Sequence, residues 1–91
     1  MTTKLIAYDL GGPVANYADL IEDIKSLGTW WHHLDSLWLV NTDLSTKELR
    51  DRLKTHLDDN DELLVINVSS DPRAWTGFSD RGSEWLKNSF D

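Results

Sequence analysis

The word TKLIAYDLGG, residues 3 to 12, ends a strand-like alternation on Asp9, just before two glycines. A carboxylate held up at a strand end suits a divalent metal. Two copies brought together by two subunits would suit metal-assisted phosphodiester hydrolysis with Mg2+ or Mn2+. A single carboxylate is a poor magnesium site, because that ion wants near-octahedral oxygen ligands and keeps several waters. The plainer alternative is that Asp9 caps the turn or takes the backbone amides of Gly11 and Gly12. His32 and His33 lie beside Trp30, Trp31 and Asp35. Neighbouring strand residues point to opposite faces, so the two imidazoles do not share one metal. His32 shares a face with Leu34, and His33 shares one with Asp35, a pairing that orients an imidazole for proton transfer. The competing reading is a hairpin tip whose polar residues face solvent or a partner.

Lys47, Arg50, Arg52 and Lys54 form the one basic cluster, with Glu48 and Asp51 interspersed. Residues 47, 50 and 54 share a helix face and can touch phosphates, or form a solvated face with local ion pairs. Five tryptophans, at 30, 31, 38, 75 and 85, can stack on bases or a small nucleotide. Tyr8, Trp30 and Trp31 are the aromatic candidates for a ligand pocket at a subunit interface, while core and interface packing explains the tryptophans more simply. The acidic run DDNDE, 58 to 62, lacks the glycine and ligand spacing of a calcium loop and reads as a solvated turn.

These groups sit on a chain of 91 residues, 40% hydrophobic, which is one small domain with a thin margin of burial. Pairing with a second copy is a natural way to cover leftover apolar surface. Nine basic residues against sixteen acidic give a net charge of −7, which weighs against broad affinity for nucleic acid. Cysteine is absent, which removes disulfides and thiolate metal sites. No run approaches the ~18 apolar residues of a membrane span, and the start lacks a basic-then-apolar signal; a soluble cytoplasmic protein is expected.

The positioning elements follow from local pattern. Residues 4 to 9 alternate with apolar residues on both sides, as an interior strand does. Asn16 is a good helix N-cap; Tyr17, Leu20, Ile21, Ile24 and Leu27 recur at helical spacing, and Gly28 stops the run. A hairpin follows, about 29 to 34 and 37 to 42, turning at Leu34 to Ser36, with one long bent strand as the alternative. Ser45 and Glu48 make a capping box, Leu44 staples onto Leu49, and Leu49, Leu53 and Leu57 form the apolar stripe of a second helix. Residues 63 to 68 are a strand apolar on both faces, and a C-terminal helix bears Trp85, Leu86 and Phe90.

The order β-α-β-β-α-β with right-handed crossovers predicts a ferredoxin-like α+β sandwich. Its four-stranded antiparallel sheet has the first strand in the middle and both helices on one face. Residues 1–70 form the core and 71–91 an appendage. The other sheet face carries Ile6, Tyr8 and some of the tryptophans, and either the C-terminal segment or a second subunit must close it.

LIAYDL, the SLG that closes the first helix, SLWLV and DELLVINV together resemble the small CRISPR-associated protein two family. The likeness extends to its VapD-type ribonuclease and SinR-like relatives, and is closest to the last. It covers residues 3 to about 70. The resemblance implies a ferredoxin-like protomer that pairs into a homodimer in a bacterial or phage setting. In its nuclease members the aspartate of a YD word is the proposed metal ligand near the dimer axis, and here only Tyr8-Asp9 matches. Many members that handle nucleic acid follow that aspartate with a Ser and Arg/Lys-rich loop; this chain has GGPVANY, with no basic residue between Lys4 and Lys25. The expectation is therefore a homodimeric binding or assembly module. The alternatives are a metal-dependent endoribonuclease using Asp9 from both subunits, with RNA as substrate, and a small-nucleotide binder.

Overall fold

The computed structural model describes residues 1–69 and 71–89. In chain order it runs β1 (Thr2–Asp9), a 3-10 turn (Val14–Tyr17), α1 (Ala18–Lys25), β2 (Trp30–Leu34) and β3 (Leu37–Thr42). Then come α2 (Thr46–Lys54), β4 (Glu62–Asn67) and α3 (Asp80–Asn88). The strands form one antiparallel sheet in the order β2-β3-β1-β4. This small α+β arrangement is compatible with the ferredoxin-like fold. Phe90, expected on the last helix, lies outside the described residues.

β1 is paired on both sides, with Ile6 opposite Trp38 on β3 and Val65 on β4. Side chains alternate across a strand, so Ile6 and Tyr8 share one face and Leu5, Ala7 and Asp9 the other. The structure sends Ile6 and Tyr8 toward α1 and α2, where they join Trp38, Val40, Leu20, Ile24, Leu49 and Leu53 in the main core. This reverses the expectation that Ile6 and Tyr8 occupy the far face. A strand apolar on both sides carries no sign of which side is which, so the partner helices decide. Trp38 is fully buried, and its indole N–H donates to the Tyr8 hydroxyl at 3.0 Å, so the polar end of each ring is satisfied.

The second face is roofed by this chain's own C-terminal segment. Trp31, Leu39 and Leu86 are buried there, with Leu5, Leu37, Trp75 and Phe78 partly buried around them. Ser79 caps α3 by accepting from the Gly82 amide. The Trp31 indole donates to the Gly82 carbonyl at 3.1 Å, and Trp75 to the Ser83 hydroxyl. Buried Asn41 bonds Thr3, Thr29 and the Ser89 carbonyl, which ties three strand segments to the end of α3. The roof stops short of β4: Leu64 and Ile66 remain 54% and 42% exposed.

The capping box forms as its spacing predicts, Glu48 N–H to the Ser45 hydroxyl and Ser45 N–H to the Glu48 carboxylate, both at 3.1 Å. Asn16 instead falls inside the 3-10 turn, and α1 begins after Tyr17 with no side-chain cap. Gly28 is set by packing. A Cβ there would lie 2.1 Å from the Asn41 carbonyl oxygen, where the chain enters β2 beside β3. Gly28→Ala is expected to force the strands apart at a cost of about 1–3 kcal/mol, read as a lower urea midpoint with an unchanged slope.

Candidate functional site

The two loops at the Asp9 end of the sheet are held by a residue that local pattern does not single out. Asp61 accepts from the Gly11 amide at 2.7 Å and the Tyr17 hydroxyl at 2.8 Å through one oxygen, and from the Asp58 amide at 2.8 Å through the other. The amide of Gly11 is thus taken by Asp61 and not by Asp9. Hydrogen bonds from the Gly11 and Asp58 amides hold the Asp61 carboxyl below its ordinary value of 3.8. The bond to Asp61 in turn holds the Tyr17 hydroxyl above its ordinary value of 10.0.

Asp9 itself is exposed at the end of β1. Its register partner on β4 is Glu62, so two carboxylates stand side by side on the same sheet face. Asp9 also borders a shallow cavity of about 450 Å³ with His32 and Asp35. Among the described residues, no group of three or more His, Cys, Asp or Glu side chains is placed to hold a metal.

The expected His33–Asp35 pair does not form. β2 carries a register irregularity between Trp31 and Leu34, opposite Leu39 and Leu37. One extra residue there breaks the alternation, so Leu34 joins Trp31 and Leu37 around a cavity on the α3 face and no longer shares a face with His32. His32 stacks on Trp38, with centroids 3.7 Å apart, and its Nε2 meets the Asp35 carbonyl at 3.2 Å. His33 is exposed and lies against Trp31 and Gly82; a Cβ at Gly82 would come within 3.2 Å of the imidazole.

A histidine–carboxylate pair does occur elsewhere. His56 Nε2 lies 2.9 Å from one Asp23 oxygen, while Arg52 Nε donates to the other at 2.9 Å. Burial pushes the Asp23 carboxyl up, but the Arg52 and His56 hydrogen bonds outweigh it and the net shift is downward. This clamp joins α1 to the end of α2. Arg52 is thereby withdrawn from the basic cluster. Lys47, Arg50 and Lys54 do lie on the exposed side of α2, with Arg50 bound to Asp51 at 2.8 Å.

The three aromatic candidates are divided between surfaces. Tyr8 is buried on the helix side and Trp31 on the α3 side. Trp30 alone is open, 40% exposed, with the Lys25 ammonium 5.4 Å from its ring centroid. Lys4, unremarked in the sequence, is only 3% exposed; its ammonium donates to the Thr2 hydroxyl. Burial draws its pKa down against the opposing pull of Asp43.

No protein-family model matches the chain, and no solved structure gives a significant match. No helix among the described residues is long and apolar enough to cross a membrane.

Asp61→Asn is expected to lower the thermal midpoint at pH 7 by releasing both loops. Because the folded-state pKa is depressed, the anion's contribution is complete above the ordinary carboxylate range and lost as pH falls through the lowered value. The gap between Asp61→Asn and the parent chain should therefore narrow as pH is taken below the ordinary carboxylate range, as followed by circular dichroism.

Proposed function

We propose that the chain is a homodimeric binding or assembly module, built on a ferredoxin-like βαββαβ sandwich of the CRISPR-associated protein two type. The observation that carries this reading is β4. It is an edge strand whose inner side chains Leu63 and Val65 pack on the main core, while Leu64 and Ile66 face outward beside the limit of the α3 roof. An edge that is both apolar and unpaired invites another strand. A second copy pairing antiparallel along β4 would join the two sheets and place four such side chains in one strip. The half-closed face thus supports a partner at this edge.

The endoribonuclease reading requires two Asp9 carboxylates to converge. With the pairing centred on Val65, Glu62 of one copy stands opposite Val68 of the other. The two Glu62 positions are then six residues apart along the ladder, roughly 20 Å at the rise of a strand. Asp9 pairs with Glu62 and is separated in step with it. This mode of pairing therefore favours assembly over a shared metal. The small-nucleotide alternative loses its common pocket, because Tyr8 and Trp31 lie on opposite sheet faces.

Two measurements test the reading. Sedimentation equilibrium should find a dimer that Leu64→Lys with Ile66→Lys converts to a folded monomer. A parent chain that stays monomeric at about millimolar concentration, or a dimer untouched by both lysines, refutes it. Incubation of RNA with Mg2+ or Mn2+ should give no cleavage that Asp9→Asn removes. Clean cleavage lost in Asp9→Asn would establish the nuclease instead.

A further inference from the structure

The opposite edge of the sheet, β2, has a different character. α3 runs beside it in the reverse direction: Gly82, near its start, meets Trp31 and His33, and Ser89, past its end, meets Asn41 next to Thr29. Leu86 on α3 turns into the second core, and Arg81, Trp85 and Ser89, spaced four apart, line the side toward the β2 edge. Between that stripe and the strand is a groove of about 610 Å³ whose floor is residues 28–33.

Two features define what fits. First, Thr29 gives its carbonyl to Asn41 on β3, and Trp31 is in register with Leu39. By the alternation of an antiparallel ladder, the backbone groups of Trp30 and, up to the bulge, His32 point away from the sheet into the groove. Second, the described lining contains the Arg81 guanidinium and the His33 imidazole, and no carboxylate among the described residues, on a chain of net charge −7. Arg81 is exposed and has no hydrogen-bond or ion-pair partner among the described residues. Beyond the strand, Trp30 is open with Lys25 over its ring.

We propose that this groove accepts an extended acidic peptide as an added strand on β2. Backbone groups at Trp30 and His32 pair with the guest, one row of its side chains lies along Trp85 and Arg81, and its carboxylates complement Arg81. The floor spans about 17 Å, enough for a guest of about five residues. A polynucleotide fits less well, because a single permanent cation cannot neutralise successive phosphates. The site is at the edge remote from β4 and does not depend on pairing there.

The test is fluorescence anisotropy of the whole chain with a fluorescein-labelled hexapeptide alternating Glu and Val. Controls are the matching Lys/Val peptide, a Glu/Val peptide N-methylated at alternate amides, and AMP. The Glu/Val peptide should bind at least about tenfold more tightly than the Lys/Val peptide. N-methylation should remove binding, and Arg81→Glu should reverse the charge preference. Arg81 is exposed and unpartnered among the described residues, so circular dichroism of Arg81→Glu should match the parent. The doubly substituted Leu64→Lys, Ile66→Lys chain should retain peptide binding, which separates this site from the pairing surface. No saturable binding up to about millimolar peptide overturns the proposal. Binding indifferent to N-methylation and to Arg81→Glu does so as well. AMP bound at the groove in place of the peptide would identify a nucleotide site and overturn it too.

Discussion

β1 is hydrogen-bonded to β3 on one side and to β4 on the other, and this double pairing removes any freedom to slip. A shift of one residue would exchange every side chain between faces, taking Ile6 and Tyr8 out of the main core and putting Leu5, Ala7 and Asp9 in their place. The Trp38–Tyr8 hydrogen bond across the β1–β3 ladder marks the register, since a buried indole N–H without an acceptor is costly. Asp9 is carried to the sheet end by the same register and placed beside Glu62. The position of the candidate carboxylate is thus a by-product of how the core is packed.

The two faces of that sheet are unequally closed. Helices α1 and α2 bury a continuous cluster, while the far face relies on one short helix and the strap before it. α3 has nine residues and runs along β2, with Leu86 reaching Leu39 of β3, too little to cover four strands. Each sheet edge is left with its own chemistry: aliphatic at β4, aromatic and cationic at β2. Both proposed interaction surfaces lie where the cores run out.

Much of this was legible wherever neighbours in sequence are neighbours in space. Ser45 and Glu48, the Leu49 and Leu53 stripe and the 37–42 strand all declared themselves through local spacing. The β1 faces did not, because Leu5 and Ile6 are equally apolar and only the distant helices distinguish them. The β2 bulge, which separates Leu34 from His32, leaves no mark in a run rich in aromatic residues. Nor could pattern show that Asp61 reaches Gly11, fifty positions away, or that Asp23 pairs with His56, thirty-three positions away. Polar clamps of this kind depend on loop closure, which single residues do not signal. The acidic turn therefore reads as solvated although one of its carboxylates ties the loops together.

α3 follows β4 in the chain, and this order matters during synthesis on the ribosome. The strands of the sheet and both helices of the main core precede α3 in the chain. Until that segment emerges, Trp31 and Leu39 are bare on a sheet with two open margins. Nascent molecules crowded on one messenger are then at their most adhesive, and the interval closes only when Leu86 seats.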